Sequence, residues 1–165
     1  MSMNKFSLPL KGLLCLLVCF FSCSKKSSNV DTISDFFPPV QVDFYVNLSL
    51  ATSLPLQYPN GYIYTSQGYK GIIVYNNGIP SDGNYVAFDR TCPVKTDSAC
   101  SFVSVDSSGI FYRCGQYKPS FVPCCNSKFY ASNGTPASGD ARRALKQYYT
   151  RLDGNLLHVS STPLQ

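Results

Sequence analysis

Two short stretches that place cysteine next to proline constrain the fold of this chain more than any other feature. Residues 87–94 read AFDRTCPV, and residues 121–129 read FVPCCNSKF. Each has the composition of a tight turn and follows an apolar run of the kind found in strands. We expect a β scaffold to hold the two stretches side by side as loops, closed on each other by a metal centre or a disulfide bond.

The composition favours strands and turns over helices. The 165 residues include 12 Tyr, 11 Phe, 11 Gly and 11 Pro. Aromatic residues are enriched in strands, whereas Gly and Pro mark turns. Short strands at regular spacing therefore predict an all-β sandwich or barrel, which we assign to one domain over residues 38–162.

Alternation of apolar residues and turn signals locates the individual strands. A closing hairpin is expected from residues 145–152 and 156–159 around Asp153-Gly154, while one or two helical turns remain an alternative for residues 141–148. The other strands are expected within residues 40–50, 62–65, 68–75, 85–88, 102–105, 110–113 and 129–131.

The N-terminus has the features of a targeting signal. Residues 1–22 have a basic start and a short apolar run, as export signals do, and the run is too short to span a bilayer. The pair Ser22-Cys23 then resembles the end of a bacterial lipoprotein signal, which implies cleavage before Cys23 and lipidation of that residue. Residues 23–37 would be a flexible tether to a membrane of the cell envelope, at the outer membrane or the periplasmic face. An ordinary signal peptide is the alternative.

Charge and residue inventory exclude several functions. Without residues 1–22 the chain keeps 12 Lys and Arg against nine Asp, which is too mild a balance for a nucleic-acid partner. It contains one His, no Glu and no Gly-x-Ser-x-Gly motif, so hydrolase chemistry has little support. No enzyme class is indicated.

The two cysteine stretches and the residues after them resemble a Rieske-type iron–sulfur domain. The similarity covers residues 40–160 and is most specific over residues 87–148, including the later Asn133-Gly134-Thr135-Pro136 turn. It is closest to exported bacterial lipoproteins with a Rieske-like domain. The resemblance implies an antiparallel β-sandwich or barrel with a smaller subdomain of the cluster-binding type.

The ligands of a Rieske cluster are largely missing. That cluster needs two Cys on one iron and two His on the other. Only Cys92 stands at a family ligand position with the right side chain; the other three positions hold Val94, Val122 and Cys125. With His158 as the only histidine, the chain cannot supply two imidazoles. We therefore expect no cofactor, the alternative being a [2Fe–2S] or other metal centre on Cys92, Cys100, Cys124 and Cys125.

Disulfide bonds are the expected replacement. Export implies an oxidising compartment, where cysteines pair. In respiratory Rieske proteins an extra Cys after the first loop pairs with one inside the second, and Cys100 and Cys124 match those positions. That pairing would leave Cys92 facing Cys125 for a second bond. The crossed pairing, Cys92–Cys124 with Cys100–Cys125, stays open, and Cys114 is the odd thiol.

The expected function is a non-catalytic accessory or binding module, tethered to the membrane by its N-terminal lipid. Its partner would be another envelope protein or a glycan. Aromatic side chains suit a glycan- or partner-binding face, although they also fit ordinary strand positions; the candidates are Tyr58, Tyr62, Tyr64, Tyr69 and Tyr75. The alternative is an electron carrier with an atypical cluster.

Overall fold

The computed structural model describes residues 37–79 and 84–165, which belong to one compact unit, Asp31–Gln165. The export signal, Cys23 and all of the expected tether except its last residue lie outside the described residues. Within the described part the chain is mostly β, as expected. The strands in chain order are β1 (Asp43–Asn47), β2 (Tyr62–Thr65), β3 (Ile72–Asn76), β4 (Tyr85–Asp89), β5 (Val103–Val105), β6 (Phe111–Tyr117), β7 (Phe121–Tyr130), β8 (Pro136–Ser138), β9 (Gln147–Asp153) and β10 (Leu156–Ser160).

The strands form two antiparallel sheets. The larger has six strands in the order β1-β10-β9-β4-β3-β2, and the smaller has four in the order β5-β6-β7-β8. Strands β4 and β9 pair directly, so the whole small sheet is an insertion between two neighbours of the large one. This arrangement confirms the expected all-β fold with a smaller subdomain.

Strands β3 and β4 are buried on both faces because both are built from large apolar residues. Alternate side chains of a strand point to opposite faces. Ile73 and Phe88 therefore enter a cluster with residues of the small sheet, such as Tyr112 and Phe129. Their neighbours Ile72, Val74, Tyr85 and Ala87 enter a second cluster with residues of β1, β9 and β10. The two clusters fix β4, and with it the point at which the chain leaves for the first cysteine loop.

The closing hairpin is confirmed, whereas its helical alternative and the loop expected at residues 121–129 are wrong. The closing hairpin forms, with Asp153 paired to Leu156 across a turn in which Gly154 has φ +56°. No helix forms at residues 141–148; Ala141 and Leu145 are instead buried in the core. A 3-10 helix at Ala51–Gln57 was not expected. The second cysteine stretch is not a loop but lies within β7.

A buried carboxylate organises the end of β4. Asp89 is fully buried and accepts hydrogen bonds from four donors: the backbone N–H groups of Tyr69 and Thr91 and the hydroxyls of Thr91 and Tyr148. Burying a charge is costly unless such partners compensate it. Asp89 thus joins three segments just before Cys92.

Replacing Asp89 with Asn is expected to destabilise the protein by about 3 kcal/mol, since hydrogen bonds to charged groups contribute roughly 1.5–3 kcal/mol each. The amide keeps one acceptor oxygen and turns an NH2 group toward donors. Urea unfolding of the full chain measures the change. Asp106→Asn is the control, because Asp106 sits in an exposed turn that Asn also fits. Equal stability of the two variants would contradict the role of Asp89.

Candidate functional site

The first cysteine loop begins at Cys92 and closes on itself at Ser101. The N–H of Cys92 donates to the carbonyl of Ser101 at 3.3 Å, and the Ser101 hydroxyl donates back to the Cys92 carbonyl at 2.9 Å. Thr91 bridges to Phe102 immediately outside this closure. The loop base is therefore rigid, and the Cys92 side chain points into the core, where it is fully buried.

Lys70 holds the outer part of the loop. Its Nζ donates to the carbonyls of Thr96 and Ser98 at 2.6 and 2.7 Å and lies 5.5 Å from the centre of the Phe102 ring. Desolvation lowers the pKa of Lys70, opposed by the nearby carboxylates of Asp97 and Asp89. A cation is thus held beside the loop that carries Cys92.

Cys114 of β6 and Cys125 of β7 meet where the pairing of the two strands becomes irregular. Arg113 pairs with Lys128, but Gly115 pairs with Pro123, so residues 124–127 of β7 lie opposite only Cys114 of β6. Gly115 has φ +147°, and a Cβ there would stand 2.3 Å from the Val122 carbonyl oxygen. The bulge therefore needs glycine, and it directs Cys125 toward Cys114.

The first cysteine loop, β6 and β7 bring three free cysteines together. The Sγ atoms of Cys92, Cys114 and Cys125 lie within 4.8 Å of one another, and those of Cys92 and Cys125 are 3.7 Å apart. Cys92 and Cys114 are buried and Cys125 is partly exposed. We call these residues the thiol triad.

A disulfide bond joins Cys100 to Cys124 and ties the first loop to β7. Their Cα atoms are 5.4 Å apart, a usual separation for a disulfide. This bond confirms the first expected pair and rules out the crossed pairing. It also corrects the alternative metal set, because two of its four cysteines are bonded to each other. The second expected bond is not formed: Cys92 and Cys125 are adjacent thiols.

Cys114 was expected to be an odd, incidental thiol and is instead part of the triad. The alternation of β6 could have indicated it, since Tyr112 and Cys114 are two residues apart and both point into the core. Its neighbours could not have been identified, because they depend on the register shift of β7.

Hydrogen bonds within the thiol triad shift the pKa values of Cys92 and Cys114 in opposite directions. The pKa of Cys92 is lowered to about 7, chiefly because the Cys114 thiol donates to its sulfur; the Val94 N–H and Cys125 also donate, while desolvation opposes them. The pKa of Cys114 is raised, because it is the donor to Cys92 and is buried. As the pH rises through 7 the arrangement favours a thiolate on Cys92 while Cys114 keeps its proton.

The residues at this site do not fit a Rieske cluster. His158 lies in β10 of the large sheet, where its Nε2 is 2.6 Å from Asp43 Oδ1 and its ring stacks on Tyr45 at 4.3 Å. The triad residues belong instead to the Cys92 loop, β6 and β7. No imidazole therefore stands beside the triad.

The candidate tyrosines do not form one exposed face. Tyr75 is buried and donates to Asn60, whereas Tyr58 is exposed. Tyr64 packs under the Arg90 guanidinium at 4.1 Å and accepts from the Val105 N–H. At least two of the five rings thus have structural roles.

Replacing both Cys100 and Cys124 with Ser is expected to lower the free energy of unfolding by about 3.5 kcal/mol, the chain-entropy value for a loop of this size. Denaturant unfolding of the full chain measures it. Wild-type protein treated with a reductant is expected to match the variant, whose own stability should not respond to reductant. Free thiols at both positions in oxidised wild-type protein would contradict the bond.

Cys92 is expected to ionise with a pKa of about 7, detected as thiolate absorbance in a pH titration. Since the pKa is lowered, the thiolate forms as the pH rises through 7. Cys114→Ser keeps a donor and should preserve this step, whereas Cys114→Ala should move it up toward the ordinary value of about 8.5. A wild-type first step already at that ordinary value would contradict the hydrogen-bonded triad.

In comparisons with known proteins, no family model matches the chain, and no curated protein matches it either. Among the described residues, no helix has the length and apolar character needed to cross a membrane. What the protein does must therefore be inferred from the arrangement of its sulfur atoms.

Proposed function

We propose that this chain is an exported, lipid-tethered protein of the cell envelope with a Rieske-like domain in which a sulfur-only site replaces the iron–sulfur cluster. It acts as a non-catalytic accessory whose binding centre is the thiol triad. Cys23 carries the lipid, residues 23–37 are the tether, and the Cys100–Cys124 bond is the structural clamp over the site.

The observation that carries this proposal is the separation of the sole histidine from the cysteines. A Rieske iron needs two imidazoles, and the one imidazole of this chain is engaged with Asp43 in the large sheet. Three thiols stand together where the Cys92 loop meets β6 and β7. The chain therefore brings together side chains that could hold a metal centre, but the only ligand atoms among them are sulfurs.

The topology supports the Rieske-like assignment. The small sheet is inserted between the paired strands β4 and β9, and both cysteine stretches belong to that insertion or its entry. The disulfide falls on the pair that the resemblance implies. A fold can persist when its site changes, so the function is argued from the site and not from the fold.

The disulfide also supports an envelope location. Stable disulfides accumulate in oxidising compartments and are rare in reducing ones. The Cys100–Cys124 bond therefore agrees with the export signal expected in residues 1–22. Burial of Cys92 and Cys114 shields two thiols of the triad from the same oxidising environment.

Full-length protein purified from membranes in detergent is expected to contain no stoichiometric iron. It should be colourless and give no paramagnetic resonance signal after reduction, because no imidazole stands beside the triad. Elemental analysis and spectroscopy measure both. A Cys92→Ser variant is the control, expected to be unchanged in colour and iron.

Two irons per chain with a cluster signal, lost in Cys92→Ser, would contradict the proposal. That outcome would favour the electron carrier instead. It would also mean that the Cys100–Cys124 bond is absent in the loaded protein, because a cluster of this type needs four protein ligands.

A further inference from the structure

We infer that Cys92, Cys114 and Cys125 bind one thiophilic cation, and that Cu(I) is the ion that fits them. The inference rests on the proposed function, in which the thiol triad is the binding centre. It assigns that centre a ligand class and a ligand set that includes Cys114.

The spacing of the sulfur atoms suits a single ion. A metal–sulfur bond of about 2.3 Å places two sulfurs of a tetrahedral site about 3.8 Å apart, and two sulfurs of a flat three-coordinate site about 4.0 Å apart. The observed separations are 3.7 Å for Cys92 and Cys125 and at most 4.8 Å for any pair. The triad can close around an ion by sub-ångström shifts of its side chains.

The number of ligands favours Cu(I) over Zn(II). Within residues 37–79 and 84–165, no fourth Cys, His, Asp or Glu joins the triad. A structural zinc site is almost always four-coordinate, whereas Cu(I) is soft and is satisfied by three thiolates. Three sulfurs are also one ligand short of an all-Cys [2Fe–2S] cluster.

The protein holds the triad in place before any ion arrives. The hydrogen bond from the Ser101 hydroxyl to the Cys92 carbonyl fixes Cys92, and the bulge at Gly115 fixes Cys114 and Cys125. The disulfide locks the loop to β7. Two of the ligands are completely or almost completely buried, and Cys125 is the partly exposed one. The exposed edge at Cys125 gives an ion a route of entry.

The surroundings suit a negatively charged metal–thiolate group. Lys70 supplies positive charge nearby, since its Nζ donates to the carbonyls of Thr96 and Ser98 in the loop that begins at Cys92. This ammonium group would offset part of the charge of three thiolates on a monovalent cation.

Binding is an exchange of protons for metal and involves no electron transfer. Any S–H bond still present in the triad breaks and its proton goes to solvent, three sulfur–copper bonds form, and copper remains Cu(I). The competing reaction, a Cys92–Cys125 disulfide, removes two electrons and two protons and needs an external oxidant. A bound ion would block that bond.

The test is an anaerobic titration of the full chain in detergent with Cu(I), against a chromophoric Cu(I) chelator. Wild-type protein is expected to bind one Cu(I) per chain. Cys114→Ser should weaken binding at least about tenfold, since even indirect disturbance of a metal site costs that much. The control His158→Gln alters β10 of the large sheet, away from the triad, and should still bind one ion.

X-ray absorption of the wild-type complex keeps the inference testable if a variant fails to fold. Three sulfur neighbours around copper are expected. Nitrogen or oxygen neighbours, equal affinity in Cys114→Ser, loss of binding in His158→Gln, or a Cys92–Cys125 disulfide in freshly isolated protein would each overturn the inference. An iron-free preparation that takes up no Cu(I) in the titration would overturn this assignment alone, whereas an iron cluster would overturn the proposed function.

Discussion

The register shift between β6 and β7 is the constraint on which the candidate site depends. It places four residues of one strand opposite a single residue of the other, and that single residue is Cys114. Gly115 permits the shift, because any side chain there would collide with the facing backbone. Without the shift, the regular pairing of the two strands would keep the Cys125 side chain away from the Cys114 thiol.

Three features of the fold together position the thiol triad. The doubly buried strand β4 fixes where the chain leaves the large sheet, and the four donors around Asp89 fix the direction in which it leaves. The Cys100–Cys124 bond then links that departing loop to β7. The thiol triad is therefore held by hydrophobic packing, by a satisfied buried charge and by a covalent bond, and not by the cysteines themselves.

Much of the scaffold could be predicted from the sequence, because its strands carry strong local signals. The bounds of β2 agree with the expectation, and those of β4 differ by one residue. Strand β7 was missed because Pro123 indicated a turn, whereas proline is accepted here at a bulge opposite Gly115. The Cys100–Cys124 pair followed from the family resemblance. Cys114 could not be assigned, because its partners come from a long-range register that no local pattern records.

A crystal structure of the full chain with sulfur anomalous scattering tests the central claim most directly. The account predicts one bonded pair, Cys100 with Cys124, and a separate group in which the sulfurs of Cys92, Cys114 and Cys125 all lie within about 5 Å, the reach of a single metal ion. Cys125 bonded to another cysteine, Cys114 pointing away from Cys92, or iron between the two loops would contradict it.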